Sequence, residues 1–321
     1  MDYVFLILGL LVLIAGGEFL VRGAVGISSA AKISPLVIGM TVVSFGTSAP
    51  ELLVSVQSAL DGNPGIAIGN VVGSNIANIA LVLGVTVLIF PIIAERQTKV
   101  IDYPMMILSS ILFFVFAYDN VIEWWEGLIL FGILCGFIYF LISNSRKKTK
   151  QAEEEGEFDE AMKYPFWKSF LFLLLGLVGL YFGSEWFVDG AVGIAEVLLE
   201  GNPDKDSIIG VTVVAIGTSA PELVASSVAA FRKQSDISVG NLIGSNIFNV
   251  FAVIGITSMV KPIEVTDQVL SFDMWWMLGI AGGLFFILWI GRKIGRFKGM
   301  LLFLSYGAYI TVILLRLKGV L

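Results

Sequence analysis

The heptapeptide GTSAPEL occurs twice, at 46–52 and at 217–223, and each copy sets a glutamate one residue after a proline inside a long apolar segment. Proline has no N–H, so Pro50 leaves the carbonyl of Gly46 without its helical partner, and Pro221 does the same to Gly217. Thr47 and Glu51 stand four residues apart, on one helical face, with Ser48 beside them. Thr218, Glu222 and Ser219 repeat that arrangement. A second pair of motifs, GNVVGSNIAN at 69–78 and GNLIGSNIFN at 240–249, adds Ser74 with Asn78 and Ser245 with Asn249, also four apart. Every one of these groups is a hard oxygen donor. The chain has no histidine and a single cysteine, so imidazole sites and thiolate clusters are excluded. Roughly 6–8 oxygens in flexible geometry suit Ca2+, whereas Mg2+ gives up its water reluctantly. Glu51 and Glu222 together balance one Ca2+ or two Na+. Left bare in low dielectric, two such anions are disfavoured by several kcal/mol each. A carrier built this way crosses loaded with Ca2+, with Na+ or with protons, but not empty, which is the physical basis of obligatory exchange.

These donors need a scaffold that buries them. The chain has 321 residues, 57% hydrophobic and 14% charged, against roughly 25% charged in soluble domains. Its mean hydropathy is +0.90. Runs near the ~20 residues needed to cross a bilayer recur throughout. Ten spans are expected, at 3–28, 35–60, 66–92, 101–118, 123–143, 166–199, 207–230, 237–260, 269–290 and 299–317. The short alternating segments of a β-barrel are absent from the sequence. The first apolar run lacks a basic leader and reads as a span, not a cleaved signal. Cys135 is alone, so no intrachain disulfide forms.

A polar linker at 145–165 separates a first five-helix repeat, 1–144, from a second, 166–321. Residues 38–55 match 209–226 at 13 of 18 positions without a gap, and 66–84 matches 237–255 in the same register of 171. A weaker echo pairs GGEFLVRGAVGI at 16–27 with GSEWFVDGAVGI at 183–194. Its register is 167, which places a four-residue insertion in the loop at 198–207. Five spans is an odd number, so the second half enters the membrane from the opposite side. The charge bias agrees: 16 of 20 Lys and Arg fall on the linker side if the N-terminus is outside, leaving Lys205, Lys261, Arg316 and Lys318 outside. The expected fold is an all-α polytopic membrane protein, about ten transmembrane helices arranged as two inverted five-helix repeats, with broken helices at the midplane. The G-x-x-x-G pairs Gly69/Gly73 and Gly240/Gly244 are expected to let helices cross closely. Glu18, Glu185 and Asp189 carry no proline break and read as structural or gating groups. Asn75 and Asn246 read as packing or capping residues. The acidic run at 153–160 lacks EF-hand spacing and reads as solvated linker.

GTSAPEL with GSNIAN, and GTSAPEL with GSNIFN, resemble the two α-repeats of the sodium/calcium exchanger family within the cation/Ca2+ antiporters. Length, span number and the short central loop resemble its prokaryotic members. The resemblance covers essentially the whole chain. It implies Glu51 and Glu222 as shared Ca2+ and Na+ ligands, with Thr47, Ser48, Thr218 and Ser219 supplying side-chain or carbonyl oxygens. It further implies backbone oxygens from Ser44 and Ala215, and a cage completed by Ser74, Ser245, Asn78 and Asn249. Asn249 stands where many members carry aspartate, so the site has two carboxylates and no third acid for K+ co-transport. The expected function is secondary active Ca2+/Na+ antiport at a plasma membrane with both termini outside, with Ca2+/H+ antiport on the same scaffold as the alternative. The expected partners are Ca2+, Na+ (or H+) and the bilayer, with no cofactor, nucleic acid or obligatory protein partner. An intramembrane protease would use the two acids but give no role to the Thr, Ser and Asn donors. A channel would pass Ca2+ with no counter-ion.

Overall fold

The computed structural model describes residues 1–154, 164–199, 209, 215–291, 293–317 and 320. Within them the chain is helical: α1 Asp2–Ala31, α2 Pro35–Thr47, α3 Ala49–Leu60, α4 Pro64–Ile89, α5 Thr98–Phe116, α6 Trp124–Glu154, α7 Phe166–Leu198, α8 Ala215–Thr218, α9 Ala220–Phe231, α10 Ser235–Val260, α11 Val269–Trp289 and α12 Arg296–Leu317. Eight of these are long and apolar enough to span a membrane. α2 and α3 form a ninth, bent by 43° at Ser48. The expected span at 207–230 is described chiefly from 215 onward, as α8 and α9. Its first turns, the insertion loop and most of the acidic run lie outside the described residues.

Two helices make the centre. In α4 and α10, 78% and 83% of the apolar stretch is buried, against 22% to 33% in the other six single spans. The rest of the bundle follows the repeat. β1 Ile92–Ile93 pairs with β4 Lys293–Ile294, and β2 Val121–Ile122 pairs with β3 Ile263–Glu264, both antiparallel. Each half thus lends one short strand to each of two sheets. π-helical turns recur in matching places, at Ala77–Leu83 and Asn249–Ile254, and at Thr98–Asp102 and Val269–Asp273.

α1, which also packs on α9, lies antiparallel against α7. Their contact is built on glycines seven residues apart, Gly9, Gly16 and Gly23 facing Gly176, Gly183 and Gly190. A Cβ on Gly16 would stand 2.7 Å from the backbone N of Leu180, and one on Gly176 would stand 2.6 Å from the Cα of Leu20. Leucines from each helix therefore fill the notches of the other. In a bilayer, where lipid is as apolar as leucine, such close backbone packing is what holds two helices together. The G-x-x-x-G expectation holds at Gly240 and Gly244, which meet the backbone of Leu36 and Met40. The partner implied for Gly69 and Gly73 falls at 207–211, mostly outside the described residues.

Candidate ion-binding site

Both proline breaks form as the missing N–H dictates. The helix interrupts at Ser48 and at Ser219, whose backbones match (φ −90°, ψ 3° and φ −89°, ψ 4°), and restarts at Ala49 and Ala220 with the proline in the first turn. Ser184 Oγ of α7 donates to the carbonyl of Gly217 at 2.9 Å, capturing the group that Pro221 orphaned. α1 carries Gly17 at the equivalent place and has no hydroxyl to offer.

The breaks bring Glu51 and Glu222 into the core, 3% and 1% exposed. The two carboxylates lie near enough to repel each other. Neither forms an ion pair among the described residues, where the ion pairs are those of Glu18. Among the described residues no third Asp, Glu, His or Cys joins them to make a larger cluster. Thr47 and Ser48 of the first half lie beside the Glu222 carboxylate, but neither carboxylate oxygen closes a hydrogen bond of ordinary geometry.

Among the described residues fourteen buried polar side-chain atoms have no partner, and six of them lie on Thr98, Asp102, Ser169, Ser238 and Thr257. The other eight belong to the repeated motifs: Ser48 Oγ, Glu51 Oε2, Asn78 Oδ1 and Nδ2, Ser219 Oγ, Glu222 Oε1 and Oε2, and Asn249 Oδ1. Buried polar groups in folded proteins are nearly always paired, and an unpaired one costs about 1–3 kcal/mol. One bound cation would satisfy several of these oxygens together, and the donor set contains no soft ligand. Asn78 and Asn249 sit in the two π-helical turns, a helical distortion common at functional sites.

The other expected donors divide. Thr47 Oγ1 lies 3.2 Å from Asn241 Oδ1, 3.4 Å from Ser245 Oγ and 3.4 Å from the Ser44 carbonyl, so its one proton serves one of them at a time. Ser44 Oγ donates within α2 to the Gly39 carbonyl at 2.7 Å, and its own carbonyl accepts from the Ser48 N–H at 2.9 Å. Ser74 is buried beside Asn75. Ala215 opens α8. Asn75, expected to pack or cap, bridges the halves instead, while the Asn246 side chain donates within its own helix to the Leu242 carbonyl at 2.8 Å. Asn75 Nδ2 donates to the Asn246 carbonyl at 3.3 Å, and Asn249 Nδ2 donates to Asn75 Oδ1 at 3.1 Å.

Sequence reasoning missed one symmetric pair of supports. Asn70 Nδ2 reaches Ser55 Oγ at 3.1 Å and the Glu51 carbonyl at 3.2 Å. Asn241 Nδ2 reaches Ser226 Oγ at 3.0 Å. Both asparagines follow the first glycine of the repeated G-N motif, and both serines close the matched 18-residue blocks. Exact recurrence was the available signal.

The two halves are not in the same state. Thr47 is sealed in the core, whereas its repeat mate Thr218 is exposed. A cavity of about 280 Å³ opens between α7 and α3, lined by Glu51, Asn70, Glu185, Asp189 and Thr218 among others. It lies toward the end of α7 remote from the linker. On the linker side the equivalent place is shut. Gly17 packs on Val224 and Val228 of α9, and Glu18 holds both Arg22 at 2.6 Å and Arg232 at 2.6 Å. Glu18 is thus taken up in ion pairs, in keeping with the structural or gating role expected of it, while Glu185 and Asp189 line a cavity.

Comparison with known proteins agrees with this reading. A family model described as sodium/calcium exchanger protein matches residues 1–143 and 168–315. The sodium/calcium exchanger MaX1 of Methanosarcina acetivorans is 32% identical, over 97% of this chain and 98% of its own. The inner membrane protein YrbG of Escherichia coli is 33% identical, over 86% and 85%. A solved structure of the sodium-calcium exchanger NCX_Mj superposes with a TM-score of 0.81 at 31% identity, covering 97% of this chain and 98% of that one.

Proposed function

The chain belongs to the sodium/calcium exchanger family, and from that premise we propose that it exchanges Ca2+ for Na+ at the site between Glu51 and Glu222. The observation that carries the proposal is the pair of buried, mutually repelling carboxylates with no fixed cation among the described residues, set among unpartnered oxygens. Glu51 and Glu222 are the charged ligands, shared in turn by Ca2+ and Na+. Thr47, Thr218, Ser48, Ser219, Ser74, Ser245, Asn78 and Asn249 supply neutral side-chain oxygens, and Ser44 and Ala215 supply carbonyls. With Asn249 neutral, the site balances one Ca2+ with its two acids. The protein sits in the plasma membrane with both termini outside, as its basic residues favour the linker side.

Transport proceeds by alternating access, the two repeats exchanging open and closed states around the fixed site. The geometry supports this because the repeat-related entrances differ, one open at α7 and one shut at α1. Partly exposed ion pairs contribute about 0.5–1 kcal/mol, so Arg232→Gln should favour linker-side opening two- to fivefold. In a Cys135→Ser background, Ala225→Cys, the repeat mate of cavity-lining Val54, reports this as faster thiol labelling. An unchanged labelling rate would mean the ion pair does not hold that entrance.

Equilibrium binding tests the site itself. Purified protein in Na+-free buffer should bind 45Ca2+, and added Na+ should displace it completely along a sigmoidal curve, since more than one Na+ replaces each Ca2+. Ca2+ binding insensitive to Na+ would reject a shared site.

A further inference from the structure

Glu185 and Asp189 stand one turn apart on α7 and are exposed to the same cavity that Glu51 lines. Among the described residues no lysine or arginine lines that cavity. Neither acid forms an ion pair among the described residues. Uncompensated acids within a membrane span are costly and mark ion pathways. The Glu51 carboxylate they accompany is 3% exposed and keeps Oε2 without a hydrogen-bond partner.

The repeat sharpens the contrast. The positions equivalent to Glu185 and Asp189 in α1 are Glu18 and Arg22, and the position equivalent to Arg232 is Asp61. The shut entrance is thus closed by a glutamate between two arginines. The open entrance replaces both arginines with aspartates. The same scaffold positions that neutralise each other on one side leave net negative charge on the other, so that side cannot close with the same ion pair.

We propose that Glu185 and Asp189 form an outer cation station, a second and weaker site that holds a hydrated divalent cation at the open entrance and passes it to Glu51. This rests on the exchange reading above. The station keeps water on the ion, because the cavity is open and offers two carboxylates with few further donors. It raises the local concentration of divalent cation more than that of Na+, because attraction scales with ionic charge. Fields of this kind change association rates by about 10- to 1000-fold in clefts lined by one sign of charge, and two partly solvated acids belong at the low end of that range.

The test is Ca2+ transport measured from each side, in vesicles of the two orientations, for wild type, Glu185→Gln/Asp189→Asn, and the charge-preserving Glu185→Asp/Asp189→Glu. The neutral pair should raise the KM for Ca2+ about three- to tenfold on the side remote from the linker at low salt. Vmax should be retained, and the difference should shrink as choline chloride is raised, since the Debye length falls to ~3 Å at 1 M. The linker-side KM should not move, and the charge-preserving pair should behave like wild type. An unchanged KM, or an equal rise from both sides, overturns the station and leaves the exchange reading standing. A wild type without Na+-driven Ca2+ transport overturns the exchange reading and the station with it.

Discussion

Glu222→Gln is expected to lower Na+-driven Ca2+ uptake by two to three orders of magnitude, and Glu51→Gln to do the same. Glutamine keeps the shape of the side chain but removes the charge and exchanges one acceptor oxygen for an NH2 donor. Glu222 is 1% exposed, and its two carboxylate oxygens have no protein partner. A Ca2+ bound beside one remaining carboxylate would leave a net positive charge buried in low dielectric. Removing one member of a buried charge pair costs about 3–5 kcal/mol, which corresponds to roughly 10²- to 10³-fold in affinity. Uptake of 45Ca2+ into Na+-loaded proteoliposomes measures the loss, with gel filtration confirming that each variant is folded. Normal exchange in either variant would remove that glutamate from the site.

The second large effect is architectural. Gly176→Leu should prevent α1 and α7 from packing and yield protein that neither runs as a single species nor transports. The added Cβ alone would lie 2.6 Å from the Leu20 Cα, and backbone cannot yield as a side-chain tip does. Gly176→Ala, the milder change, forces the helices apart at a cost of about 1–3 kcal/mol and should melt several degrees lower. Gly136→Ala is the control, since a Cβ there meets nothing within 4 Å. Its effect should stay within about 0.5 kcal/mol. Equal melting of the Gly176 and Gly136 alanine variants would show that the glycine notches do not hold the two helices.

Much of this was legible in the sequence because duplication doubles each signal. GTSAPEL alone is a kink with an acid. Two copies in register, each with a G-S-N partner, marked Glu51 and Glu222 and the buried Thr47, Ser48, Ser219, Ser74, Ser245, Asn78 and Asn249, whereas Thr218 is exposed. The proline breaks followed directly from the missing N–H, and both restart within one residue of the expected place. The π-helical turns that seat Asn78 and Asn249 were not legible, because no side chain announces an extra residue in a helical turn. The α1–α7 contact leaves its mark in the sequence only as glycines seven residues apart, which the motif reading did not use. Glycine in a membrane span also serves bends and cavities, and only the antiparallel pairing shows which use applies. Asn70 and Asn241 were overlooked for a different reason. Their role is to tie Ser55 and Ser226 across a helix pair, and that partnership spans 15 residues with a break of chain direction between. The difference between the two entrances was beyond any repeat argument, since an exact repeat predicts identical halves. Only the substitutions Arg22 to Asp189 and Arg232 to Asp61 hinted at it.

The counter-ion that drives Ca2+ movement tests exchange at this site most directly. Proteoliposomes are loaded with Na+ and diluted into Na+-free medium containing 45Ca2+, with ionophores holding the pH equal on both sides, and a parallel set carries a pH gradient with Na+ absent. Exchange at the two-glutamate site predicts rapid Ca2+ accumulation in the first set and little in the second. Accumulation driven by the pH gradient alone would assign the counter-load to protons, and Ca2+ entry with neither gradient would contradict exchange altogether.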